Sequence, residues 1–287
     1  MTLLCIGRSG QVASALRERA EARGVSLVSA GRPETDLLDI ESCKAAIERY
    51  QPEIVINAAA YTQVDAAESD LDAAMALNGD APGKLAGLCH EMGLRLIHIS
   101  TDYVFDGNLD RPYQETDPTN PVSAYGRTKL AGEASVRQNL AEHIILRTSW
   151  VYSPFGSNFV ATMLRLAKER GGAGVVDDQL GTPTSALDIA DSILDIADQL
   201  ADGMYGTYQF TNAGSCTWAD FAGLVFSIYD EKTGSQTELK RITTADFPTP
   251  AKRPKNSRLS TRKLTDVFGI EPRDWQVAVA ETVERLL

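Results

Sequence analysis

The first thirteen residues constrain this chain more than any others. Thr2-Leu3-Leu4-Cys5-Ile6 is an apolar run of the length of one fully buried strand. It passes without a break into Gly7-Arg8-Ser9-Gly10-Gln11-Val12-Ala13, and an amphipathic helix is expected from there to about Arg23. Gly7 allows the tight turn out of the strand, Gly10 lets the backbone approach a pyrophosphate, and Ala13 keeps the helix close to the sheet. The helix start then offers free N–H groups and the positive end of its dipole to phosphates. Three small residues at this spacing are weak evidence alone. Their place between a strand and a helix gives them weight.

The alternation continues. Val25–Ser29 reads as a second strand with Ala30-Gly31-Arg32 at its tip, where no acid is available to hold a ribose hydroxyl. Arg32 there is either a ligand for a 2′-phosphate or a solvated loop arginine. Asp36–Ile40 leads into a helix to Tyr50, and Glu53–Ile56 is a third buried strand. It ends in Asn57-Ala58-Ala59-Ala60-Tyr61-Thr62, whose small residues leave room for a ligand at the strand's carboxyl end. A helix from about Asp72 to Met92, a strand over 94–99, a helix from Ala124 to Asn139 and a strand over Ile144–Arg147 follow. The pattern predicts an α/β fold, a Rossmann-type doubly wound parallel sheet over residues 1–150 that binds NAD(P), with segments near 178–205 returning to it. Residues 151–287 are expected to form mainly a smaller α/β substrate-binding lobe. It would have helices at Asn158–Arg170, 186–200, 217–230 and 275–286 and a loop at Gly171–Gly174.

The chemistry is expected between His98 and Lys129. A strand end, Leu96–Ile99, turns polar at Ser100-Thr101-Asp102, and Tyr125 precedes Lys129 by four residues. With Ser123 as helix cap, both side chains share one helix face. An ammonium near a phenol favours the phenolate and lowers its pKa toward neutrality, making Tyr125 a usable acid or base. Thr101 is placed to bond the same substrate oxygen. Nine tyrosines and nine lysines in this length would give ~0.3 such pairs by chance, so the motif draws its strength from following a Ser-Thr strand end and a glycine turn.

Composition limits the partners. With 28 basic and 39 acidic residues the formal charge is −11, which argues against a general nucleic-acid binder. An anionic ligand then needs a local basic site. Lys252 to Lys263 carries Lys252, Arg253, Lys255, Arg258, Arg262 and Lys263 with no acid. That run is either a solvated basic loop or a clamp for a phosphorylated substrate, with Arg253 or Arg258 as the bidentate donor. Cys5, Cys43, Cys89 and Cys216 lack metal-ligand spacing and read as reduced, and no metal site is expected. No apolar run reaches membrane-spanning length, and Thr2–Ile6 is too short for a secretion signal, so a cytoplasmic chain is expected.

Together these residues resemble the extended short-chain dehydrogenase/reductase superfamily and, within it, the family of dTDP-4-dehydrorhamnose reductases. GRSGQVA at 7–13, NAAAYTQVDAAE at 57–68, STDYVFDG at 100–107, YGRTKLAGE at 125–133, DDQLGTPT at 177–184 and KRPKNSRLS at 252–260 carry the resemblance. It implies a catalytic triad of Thr101, Tyr125 and Lys129. It implies that Gly7, Gly10, Gln11 and Val12 face the pyrophosphate, that Asp39 and Ile40 meet the adenine, and that Ala58, Ala60, Tyr61 and Thr62 line the cofactor. Val64, Asp102, Tyr103 and Trp150 fall where the family holds its sugar nucleotide. Tyr61 stands where the family often has histidine.

The implied reaction is reduction of the C4 ketone of dTDP-6-deoxy-L-lyxo-4-hexulose to dTDP-L-rhamnose, with Tyr125 protonating the developing alkoxide. NADPH is expected as cofactor with NADH also accepted, and the resemblance allows a homodimer. Related dehydratases resemble this chain but read Thr-Asp-Glu after the same strand. Here Tyr103 replaces the glutamate, and elimination lacks its base. A non-catalytic regulatory subunit, as in a homologue that serves methionine adenosyltransferase, is opposed by the intact triad.

Overall fold

The structure is a computed structural model that describes all 287 residues. In chain order the first half comprises β1 (Thr2–Ile6), α1 (Gln11–Ala22), β2 (Ser26–Ala30), α2 (Ile40–Tyr50), β3 (Ile54–Asn57), α3 (Leu71–Met75), α4 (Ala81–Glu91), β4 (Arg95–Thr101), α5 (Ala124–Asn139) and β5 (His143–Thr148). A π-helical segment, Ala76–Asp80, makes α3 and α4 continuous. The second half comprises β6 (Val151–Tyr152), α6 (Phe159–Arg170), β7 (Gly172–Val176), β8 (Leu180–Gly181), β9 (Thr184–Ser185), α7 (Ala186–Gln199), β10 (Gly206–Gln209), β11 (Cys216–Thr217), α8 (Trp218–Thr233), β12 (Glu238–Ile242), α9 (Arg262–Phe268) and α10 (Trp275–Leu286).

Six parallel strands form the central sheet in the order β10-β5-β4-β3-β1-β2. The chain winds outward in both directions from β1 and β3, so the carboxyl ends of those strands open a crevice. Both faces of the sheet are covered. Leu3, Ile54, Ile97 and Ile144 join α1 and α7 in one core, while Leu4, Val55, Leu96 and Ile145 join α2, α4 and α5 in another. A parallel sheet covered on both sides needs such continuous apolar strands, each buried aliphatic side chain contributing ~1.5–3 kcal/mol. A third core lies between α6, α8 and α10, with Phe221, Val225 and Val279 fully or almost fully buried. No helix is long and apolar enough to cross a membrane.

Helices expected at 186–200, 217–230 and 275–286 are found at Ala186–Gln199, Trp218–Thr233 and Trp275–Leu286. The loop expected at Gly171–Gly174 is corrected. Gly171, at φ +69°, ends α6, but Gly172–Val176 is β7 and pairs in parallel with β12. A Cβ at Gly172 would lie 2.2 Å from the Glu238 carbonyl oxygen, so glycine here serves close approach of two strands, not looseness. Strands β10 and β12 and helix α9 lie outside the elements that the sequence pattern predicts. Each is short, and its partner is remote in sequence.

Candidate active site

A cleft of about 570 Å³ opens at the carboxyl ends of β1, β3 and β4. One wall is the glycine turn. Gly7 adopts φ +135°, and its N–H donates to the Ala30 carbonyl at 2.7 Å while the Gly7 carbonyl accepts from the Ser29 hydroxyl at 2.7 Å. Nothing lies within 4 Å of where a Cβ of Gly10 would stand, so the backbone at the start of α1 is open to the cleft. Gly10, Gln11 and Val12 line it from one side, and Ala58, Ala60, Thr62 and Val64 from the end of β3. That cradle fits the diphosphate of a dinucleotide: an unobstructed glycine, free helix-start N–H groups, and a floor of methyl-sized side chains.

The opposite wall carries the reacting groups. Thr101, Asp102 and Tyr103 come from the end of β4, and Tyr125 and Lys129 from α5. Helix α5 starts where the sequence predicts, because the Ser123 hydroxyl accepts from the Gly126 N–H at 3.1 Å. The Glu68 carboxylate accepts from Ala124 N–H at 2.7 Å and adds negative charge at the helix start. Gly126 permits the contact with β4's extension, since a Cβ there would meet the Tyr103 carbonyl at 2.2 Å.

Lys129 is 2% exposed, and its ammonium donates to the Ile99 carbonyl at 2.7 Å. Burial lowers its pKa to about 8, with the Glu133 carboxylate acting in the opposite sense. The expectation that Lys129 lowers the pKa of Tyr125 is corrected. Burial raises the phenol well above its ordinary value, the Thr101 hydroxyl opposes this, and the Asp102 carboxylate adds to it. The Lys129 ammonium donates to the Ile99 carbonyl, and burial dominates the pKa of the phenol. Tyr125 is thus held as a neutral phenol, the form that can donate a proton.

Asp102 is 3% exposed; its Oδ1 accepts from the Thr101 hydroxyl at 2.9 Å, and its Oδ2 has no partner. Burial raises its pKa to about 6. Trp150 lies in the cleft with φ +47°, a strained value for an aromatic residue. Its ring stacks on Trp218 with centroids 3.6 Å apart, and Gly181 makes room for it: a Cβ there would lie 2.3 Å from the indole.

Other expected residues lie elsewhere. Asp39 caps α2 through its backbone and is exposed, and Ile40 borders a separate groove beside α4 and α5. Arg32 is exposed in the loop after β2. Tyr61 leans out of the cleft wall, its hydroxyl donating to Asp70 at 3.2 Å. Arg253 pairs with Asp65 at 2.7 Å and borders an adjacent apolar pocket of about 410 Å³ with Phe159, Trp218 and Phe247. Arg258 turns away, bonding Asn256 at 2.9 Å and the Asp110 carbonyl. It lines neither the cleft nor that pocket, so Arg253 is the clamp candidate that remains.

Several supporting residues carry no motif of their own. The buried Asn78, within the π-helical segment, accepts from Tyr61 N–H at 2.8 Å and donates to Tyr61 O and Thr128, tying the end of β3 to α5. Glu133, fully buried one turn beyond Lys129, takes a bidentate pair from Arg147 at 2.7–2.8 Å and a 2.6 Å bond from Ser100. An acid four residues after Lys129 on the buried face was the available signal.

The model of a family described as RmlD substrate binding domain matches residues 1–287. A dTDP-4-dehydrorhamnose reductase of Sinorhizobium fredii is 44% identical over 291 residues, covering 100% of this chain and 98% of that protein. A crystal structure of a dTDP-4-dehydrorhamnose reductase from Clostridium acetobutylicum superposes with a TM-score of 0.92 at 37% identity, covering 100% of this chain and 99% of the other. The Bacillus anthracis enzyme, solved in complex with NADP, gives 0.91 at 32% identity over 98% and 99% of the two chains. With the whole length matched and the Thr101, Tyr125 and Lys129 cleft in place, this chain belongs to the dTDP-4-dehydrorhamnose reductase family.

Proposed function

We propose that this chain reduces the C4 ketone of dTDP-6-deoxy-L-lyxo-4-hexulose to dTDP-L-rhamnose with NADPH, NADH also being accepted. The observation that carries this reading is the shared cleft. Tyr125 and the buried Lys129 face an unobstructed Gly10 turn across one cavity.

Gly7, Gly10, Gln11 and Val12 would hold the cofactor's diphosphate, Ala58, Ala60 and Thr62 its nicotinamide side, and Lys129 the adjoining ribose. Asp39, Ile40 and Arg32 remain candidates for the adenosine end, and Tyr61 for supporting the cofactor-lining strand end. Bound there, the cofactor supplies the hydride. Tyr125 then gives its proton to the sugar oxygen as charge develops on it, and Thr101 holds that oxygen by a hydrogen bond. Because Tyr125 is neutral, no prior protonation is needed. The sugar would rest on Trp150 between Val64, Asp102 and Tyr103. The apolar pocket beside it has aromatic walls suited to a nucleoside base and Arg253 at its border for the diphosphate. Residues 151–287, apart from α7 and β10, would serve as the substrate lobe. The four cysteines are free and buried, which suits a reducing cytoplasm.

The test is nicotinamide oxidation by the full chain on addition of the keto-sugar nucleotide, with the product identified by NMR. Stoichiometric conversion to the 4-hydroxy sugar is expected. A chain that binds cofactor but leaves the keto sugar untouched overturns the reading.

A further inference from the structure

The tip of β2 offers no acid to a ribose hydroxyl, and the structure shows what occupies that space. A Cβ built on Gly31 would lie 2.7 Å from Cβ of Arg8 and 3.1 Å from its backbone nitrogen. Those atoms are the root of a side chain and cannot swing aside. No carboxylate can therefore be mounted at position 31 while Arg8 stands opposite it. Arg8 in turn sits within the glycine turn, which the Gly7 N–H bond to Ala30 fixes against the end of β2 at 2.7 Å. The guanidinium of Arg8 reaches over that tip and pairs with Glu34, Nη1 to Oε2, at 3.0 Å. Arg8 and Glu34 are 55% and 70% exposed.

We infer that Arg8 reads the 2′-phosphate of NADPH and that Glu34 is a competing counter-ion which tempers the preference for that cofactor. In a doubly wound sheet the adenine-side ribose lies at the tip of the second strand, beside the glycine turn. An exposed arginine–carboxylate pair is weak and exchangeable. A phosphate offers Arg8 a bidentate, charge-assisted alternative, so it displaces Glu34. A 2′-hydroxyl offers no such exchange: with NADH the pair stays closed and its charges stay neutralised. A site built this way accepts both cofactors, and Glu34 narrows the advantage that Arg8 gives to NADPH. The inference rests on the reading that the cleft binds a nicotinamide dinucleotide.

The experiment is fluorescence titration of the full chain with NADPH and with NADH, without sugar substrate, for the wild type, Glu34→Gln, Arg8→Ala and the double variant. Glu34→Gln should tighten NADPH about two- to fivefold, the range of an exposed pair, and leave NADH within about twofold. Arg8→Ala should weaken NADPH roughly tenfold with little change for NADH. In the Arg8→Ala background Glu34→Gln should add nothing. Equal effects on both cofactors overturn the inference, as does a Glu34→Gln gain that persists without Arg8, which would mean direct repulsion of the phosphate. A wild type that binds neither dinucleotide sinks the cofactor reading itself, and the inference with it.

Discussion

The ammonium of Lys129 lies 2.7 Å from the carbonyl oxygen of Ile99, two residues before Thr101 on the same strand. The bond fastens the catalytic helix to the end of β4 and leaves the lysine's remaining donors for a ligand. Burial lowers the Lys129 pKa from 10.5 to about 8. Protonated lysine donates to a ribose and neutral lysine does so more weakly, so NADPH affinity should fall as pH rises through about 8. In Lys129→Met the affinity should be weaker and flat over the same range. Titrations of cofactor binding from about pH 6.5 to about pH 9.5 check this, and a parallel decline in the variant rules Lys129 out.

Tyr125→Phe keeps the ring and removes the proton. Cofactor Kd should be unchanged while kcat falls ~10²- to 10⁴-fold. Because the phenol's pKa is raised rather than lowered, the wild type should show no activity gain from deprotonating Tyr125 between pH 7 and 9. Near-normal turnover of the phenylalanine variant would remove Tyr125 from the mechanism.

Arg253 joins Asp65, from the segment after β3, to the apolar pocket of the lobe. Arg253→Ala should raise KM for the sugar nucleotide roughly 10- to 100-fold, the value of one charge-assisted contact, and leave cofactor Kd alone. Asp65→Asn, which only loosens the arginine, should do less. Steady-state kinetics against direct cofactor binding separates the two ligands, and a loss confined to cofactor affinity would assign Arg253 to the wrong one.

Asp102 carries a stability cost. Its pKa is raised by burial from 3.8 to about 6, so the folded state disfavours the carboxylate. A raised carboxyl pKa costs stability above the folded value, and the cost is relieved as pH falls from about 6 toward 3.8. Asp102→Asn should therefore raise the unfolding free energy at pH 7.5 by up to about 2–3 kcal/mol, and Tm with it, and gain only about a third as much at pH 4.5. Substrate KM should worsen, a trade of function for stability. Thermal unfolding at the two pH values decides, and a variant equally or less stable at pH 7.5 would show that Asp102 is well satisfied when ionised.

Much of the sheet was readable because its signals are local. Continuous apolar runs mark buried strands, and a serine cap at Ser123 with Tyr125 and Lys129 four apart marks the start and face of α5. Thr101, Tyr125 and Lys129 could be proposed as one group, since a strand end and the start of a helix placed across it converge in this topology.

The alternation of β1 through β5, the glycine turn and the residues of the reacting wall are each encoded within a window of a few residues. Long-range packing sets β10 beside β5 at the edge of the sheet and requires Gly172 to be bare where it meets Glu238. It alone set Asp65 against Arg253 and Glu68 on Ala124, laid Trp150 on Trp218 over Gly181, and gave the Lys129 ammonium to Ile99 rather than to Tyr125. The physical reason is range. Helical and strand periodicity repeat every few residues, whereas a salt bridge, a close backbone approach or a pKa depends on which remote atoms the packed cores bring within a few ångströms.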